Sequence, residues 1–282
     1  MPTTPPSLLL DRDLSKAALQ KQIEVADPLL HEVVNFGVAV LARCRVGLKG
    51  GEHNLGILLP LHHLLAMVDA VHVQLLAGAP APARLQLRSS FESVLTIEYI
   101  LKHDAERRAF AYLTAWAQSQ ITKLRAVKRH TRLGAKASEI DERIADLQRH
   151  LGHPGWMDAS VALKDLKKVK GRTPAWYSLC DGPSNLAELA EHLDHLDEYD
   201  ILYREWSGLT HASDLGPQII AGPSTLALRR LRDTELFDEV VSFAVNFAVR
   251  GTRMALLYYR PLEESAWREW YKREVQGLYA RF

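Results

Sequence analysis

Apolar residues recur at spacings of three and four along nearly the whole chain, and no stretch settles into the strict alternation of a half-buried strand. Asp27-Pro28 reads as an N-cap followed by proline at the first helical position, opening a helix that runs to the glycines after Val46. A second helix follows Asn54, with Pro60 near its first turn and "APAPA" as the turn beyond it. From Pro82, Leu85, Phe91, Val94, Leu95, Ile97 and Ile100 mark a third helix. Asp104 is placed to cap a fourth, which passes Trp116 and Ile121 and closes at Gly134. Ser138 and Asp141 resemble a capping box for the next. Periodicity fades over 153–184, a loop-rich insertion around a short helix, and returns at Ser184, with a break near Asp197. "DLGPQIIAGPST" reads as a loop before a long helix, and Pro261 separates that helix from a terminal one bearing Trp267, Trp270 and Tyr271. The pattern predicts an all-α antiparallel bundle of about seven to nine helices, a single domain over 1–282 with its core at about 28–260.

Composition narrows the function classes. Of 282 residues, 47% are hydrophobic, enough for a sizeable core. Lys plus Arg number 35 against 34 Asp plus Glu, so the net charge of +1 gives no global field to draw the chain onto nucleic acid or anionic lipid. Cys44 and Cys180 fit neither a disulfide framework nor a paired metal spacing, which suits a reducing cytoplasm. The first residues lack a basic leader, and no run of about 18 uncharged apolar residues is present, so neither export nor a membrane is expected. The phosphate-loop pattern, the Gly-x-Ser-x-Gly elbow and DNA-reading motifs are missing, and no cofactor is expected.

The densest polar chemistry lies in "YREWSGLTHASD", Tyr203 to Asp214. Arg204 and His211 are seven positions apart. On a continuous helix that spacing puts both on one face, about 10 Å apart along the axis. An imidazole for proton transfer beside a guanidinium for charge neutralisation suits phosphodiester cleavage. A polar contact that stitches helices together would use the same residues, and Gly208 between them can interrupt the helix.

"LQLRSSFESVLTIEYIL" followed by "YDILYREWSGLTHAS" resembles a bacterial all-helical family, domain of unknown function number 5677, over roughly Leu55 to Ala221. Members show an R-x-x-x-E helix and, downstream, a Tyr-rich helix ending in a Ser-x-x-x-His step. The matching positions here are Arg88 and Glu92, then Tyr203, Ser207 and His211. The second segment is also similar to the R-x(4–6)-H motif of HEPN ribonucleases. That resemblance implies metal-independent cleavage across a homodimer interface, with His211 moving the proton and Arg204 steadying the phosphate. Glu205 departs from the small polar residue frequent after that arginine.

Arg88 and Glu92 are i and i+4 on a mostly apolar helix, where unpaired charge is costly, so they are expected to join a network with Ser207, Tyr203 or His211. That network is either a structural polar core or part of a ligand or active site. His62, His63, His72, His192 and His195 invite a metal reading, but Glu-x-x-His and His-Glu-x-x-His are absent and no metal is expected. Two basic stretches offer RNA contacts: Lys123, Arg125, Lys128, Arg129 and Arg132, then Lys167, Lys168, Lys170 and Arg172, with Trp156, Trp176 and Tyr177 near enough in sequence to stack bases. Solvated helix faces explain them equally well. The leading expectation is a HEPN-like endoribonuclease acting on RNA in phage defence or stress response. Its rival is a non-catalytic helical protein that binds a small ligand or a protein partner.

Overall fold

The computed structural model describes residues 9–46, 51–130, 137–210, 216, 219–222 and 225–281. It is 83% helical, with eleven helices among the described residues, more than the seven to nine expected. They are α1 (Arg12–Ala18), α2 (Gln20–Arg45), α3 (His53–Leu76), α4 (Pro80–Lys102), α5 (Ala105–Arg129), α6 (Ala137–Leu151), α7 (Pro154–Lys170), α8 (Leu186–His192), α9 (residues 196–210), α10 (Phe237–Tyr259) and α11 (residues 264–279). α1 is an added element, and the break expected near Asp197 separates α8 from α9 at Asp194, which takes a positive φ of 62°.

The chain forms two compact units. The first comprises residues 1–47, 60–97 and 197–282, the second 48–59 and 98–196, so divisions fall inside α3 and α4 and after the first residue of α9. In the first unit α2 and α10 pack along each other. Its core draws Leu29, Leu30 and Val33 from α2, Leu61, Leu64 and Val68 from α3, Leu87, Phe91 and Val94 from α4, and Val241, Ala244 and Phe247 from α10. In the second unit α5 carries three apolar clusters: Phe110, Leu113 and Ala117 with Trp156; Ala111 with Leu163 and Leu179; Ile121 with Ile140 and Ile144.

Several boundaries differ from the sequence reading, each for a local reason. Pro28 lies inside α2 instead of opening it, although an interior proline costs about 3 kcal/mol. Leu29 and Leu30 directly after it are fully buried, and each such burial contributes about 1.5–3 kcal/mol, enough to carry the helix through. Pro60 is likewise interior to α3. The turn before α4 is Ala77–Ala79, closed by Gly78 at φ 66°, so the helix begins at Pro80, its natural first-turn residue. Asp104 does stand at the N-cap of α5, but at φ 43° and without a side-chain cap bond.

Gly134 lies outside the described residues. Ser138 is inside α6, and Asp141 binds Lys128 instead of a cap amide. The N-cap of α8 is Asn185, one residue past Ser184; Asn185 accepts from the Glu188 amide, while Glu188 accepts from Ser184. The 153–184 segment is more helical than expected, because Trp156, Ser160 and Leu163 give α7 a buried stripe over 17 residues. The loop before α10 contains an antiparallel hairpin, β1 (Ile219–Gly222) with β2 (Thr225–Leu228). By length and apolarity alone, α2, α3 and α10 are each able to cross a bilayer.

Candidate functional site

Two helices of the first unit meet through polar side chains. α4 presents Arg84, Arg88 and Glu92 at successive intervals of four, a single stripe between the buried Leu87 and Phe91. α9 answers with Tyr199, Tyr203 and Ser207. It is not a uniform helix: Leu196–Glu198 is α-helical, Tyr199–Tyr203 is a π turn, and Arg204–Thr210 is α-helical again. Gly208 does not interrupt it. The fully buried Trp206 anchors this helix, with its ring edge-on to Phe243 at 5.8 Å.

The four residues expected to form a network do meet. Arg88 donates through Nε to Ser207 Oγ at 3.0 Å and through a terminal nitrogen to the Tyr203 hydroxyl at 2.5 Å. The Tyr203 hydroxyl donates to Glu92 at 2.8 Å, and Glu92 lies 3.2 Å from the Arg88 guanidinium, which closes a ring of three groups. The guanidinium carbon also stands 4.6 Å from the Tyr203 ring centre, within cation–π range. Burial, then the negative charge of Glu92 and the bond to it, push the Tyr203 phenol up to about 12. At neutral pH Tyr203 therefore holds its proton and serves as a donor, not as a base. Ser207 receives its bond from a cation that has no lone pair to accept a proton, so Arg88 does not activate Ser207 as a nucleophile.

Arg204 takes no part in this ring. Its side chain is 67% exposed, bonded to Asp200 at 2.9 Å, with its guanidinium carbon 5.7 Å from the Tyr199 ring centre. Tyr199 and Tyr203 are stacked at 5.0 Å, so each ring of the pair carries one of the two arginines. His211 lies outside the described residues, as does Arg132.

Sequence reasoning missed a second ion pair. Arg84 is bonded to Glu205 at 2.8 Å, with its side chain only 8% exposed. Glu205, set apart above for its charge, is thereby neutralised within the protein. Glu239 in the first turn of α10 belongs to the same neighbourhood: burial raises its pKa first and the charge of Glu205 second, while Arg84 lowers it. The available signal was the four-residue step from Arg84 to Arg88.

The family model for a family of unknown function (DUF5677) matches residues 58–218, more than half of the chain. The chain belongs to this family. Comparison with curated proteins and with solved structures finds no match. The matched DUF5677 segment agrees within three residues at each end with the span read from the sequence, and it contains α4, α9 and every residue of the network. Its description names no activity, and nothing in the comparisons bears on the HEPN resemblance.

The remaining candidates within the DUF5677 segment belong mostly to the second unit. Lys123, Arg125, Lys128, Arg129, Lys167, Lys168, Lys170 and Arg172 are exposed. Lys128 holds Asp141 at 2.6 Å and Lys168 holds Asp165 at 3.3 Å. The aromatic residues near them are committed elsewhere. Trp156 and Tyr177 are buried, and the part-buried Trp176 meets Tyr99 and Tyr112 edge-on. Among the histidines, His63 bonds Ser89, His72 bonds Asp27 and His195 bonds Glu98. Among the described residues, no group of three or more His, Cys, Asp or Glu is arranged to hold a metal ion.

Proposed function

We propose that this DUF5677 protein is a non-catalytic, cytoplasmic helical binding protein, in which Arg88, Glu92, Tyr203 and Ser207 lock α4 and α9 in register. The observation that supports this reading is the closure of the network. Arg88 spends its Nε and one terminal nitrogen on Ser207, Tyr203 and Glu92, so the polar groups of the two helices are directed at one another. Such a closed set specifies one helix alignment more than it adds raw stability. A double-mutant cycle with Arg88→Met and Tyr203→Phe, read by urea unfolding, is expected to give a coupling energy of about 1–3 kcal/mol. Additive losses would remove the basis for the reading.

A metal-independent endoribonuclease, with Arg204 as phosphate stabiliser and His211 as acid/base across a homodimer, is the second reading. What favours it is the exposure of Arg204, whose only charged partner among the described residues is the also exposed Asp200. Incubating the protein with total RNA in EDTA beside Arg204→Ala and His211→Ala decides between the two. The second reading expects cleavage by the parent and none by either variant. Intact RNA with all three proteins defeats it.

A further inference from the structure

The second unit contains an open-mouthed cavity of about 340 Å³, lined by the first turns of α3, the middle of α5 and part of α6. Gly56 lets α3 lie close on α5, since a Cβ there would sit 2.7 Å from the Ala109 carbonyl oxygen. The walls are Leu55, Leu59, Leu113, Trp116, Leu124 and Leu147. Leu55, Leu59 and Trp116 remain 53%, 41% and 42% exposed, so an apolar occupant would remove from water a surface the fold itself leaves wet. Both volume and lining match small-molecule sites.

The polar residues at the cavity are unequally satisfied. Glu52 accepts from Trp156 Nε1 at 2.5 Å, and its other oxygen lies 3.1 Å from His150 Nδ1. Asp146 is paired with Arg149. Gln120 and the exposed Arg143 have no hydrogen-bond or ion-pair partner among the described residues. Among the described residues, a cation and a carboxamide without partners thus flank an apolar chamber whose carboxylates are already taken.

We infer that this cavity binds an apolar monocarboxylate, with its hydrocarbon against the leucines and Trp116 and its carboxylate on Arg143, assisted by the Gln120 amide. A single charge with two oxygens suits a guanidinium fork. A doubly charged phosphate monoester would meet the repulsion of Glu52 and Asp146 at the same cavity. None of these residues belongs to the α4–α9 network, so the inference is independent of the reading above.

Isothermal titration of the full chain with decanoate, decanol and decylamine, each below its micelle concentration, tests it. Decanoate is expected to bind saturably at one per chain and roughly tenfold more tightly than decanol, the gain of a charge-assisted hydrogen bond. Arg143→Ala should erase that preference, and Leu59→Trp, which fills the chamber from a part-exposed position, should abolish binding of both. Thermal melts verify that each variant is folded. The inference is overturned by an absence of saturable heat with decanoate, by tighter binding of decylamine, by a preference that survives Arg143→Ala, or by decanoate binding that Leu59→Trp leaves intact.

Discussion

Tyr203 concentrates the chemistry of the α4–α9 network in one hydroxyl, which accepts from Arg88 and donates to Glu92. Its phenol is raised from 10.0 to about 12 by burial first and by Glu92 second. Between those two values the unfolded chain releases a proton that the folded protein retains. Stability contributed by this group is therefore complete below about pH 10 and declines as pH rises towards about 12. Tyr203→Phe is expected to cost about 1–3 kcal/mol at neutral pH, because Arg88 and Glu92 each lose a partner. It should also flatten the alkaline decline, as read from urea midpoints across that interval. Identical slopes for parent and variant would show that the phenol does not couple to folding. The meeting of Arg88, Glu92, Tyr203 and Ser207 was legible in the sequence, because charge on an apolar helix demands partners and only a few polar residues were spaced to supply them. The pairing of Arg84 with Glu205 was not read, since the four-residue step from Arg84 to Arg88 places Arg84 on the stripe but does not name Glu205 as its partner.

At the scale of elements, long helices were readable and their ends were not. α2, α3, α4, α5 and α10 follow from apolar spacing, a signal repeated over 23 to 26 residues in each. Caps rest on one or two residues, and tertiary burial overrode them. Pro28 and Pro60 are strong local signals of a helix start, yet both were absorbed into helix interiors because the flanking leucines have a core to enter. The hairpin of β1 and β2 escaped because its strands are four residues each, too short for alternation to be counted, and Ile219, Leu226 and Leu228 are exposed instead of buried. The π turn in α9 has no sequence signature at all.

For the molecule as a whole, apolarity and topology must be weighed together. Three helices are long and apolar enough to cross a membrane, yet α2 and α3 also expose polar residues. On α2, Lys21, Glu24, Asp27, His31 and Asn35 form an exposed stripe, and on α3 His62, His63 and Asp69 are exposed. In hydrocarbon each charged position at mid-depth would cost on the order of 3 kcal/mol. Between 44% and 56% of the most apolar stretch of each is buried within the protein. The cytoplasmic location proposed above predicts the chain in the supernatant after ultracentrifugation without detergent. A pellet that resists alkaline carbonate extraction would reverse that conclusion.

The π turn of α9 has a consequence for ancestry. It holds one residue more than the α turn it replaces, so everything after Tyr203 is rotated by about 100° from where an unbroken helix would carry it. That offset acts as a vernier for Tyr203 and Ser207 together, which are four residues apart and share a helix face with or without it. A homologue lacking the added residue would keep all four side chains in its inventory but, for an unchanged first turn of α9, aim that shared face away from α4. Descent with the same letters therefore does not guarantee descent with the same junction.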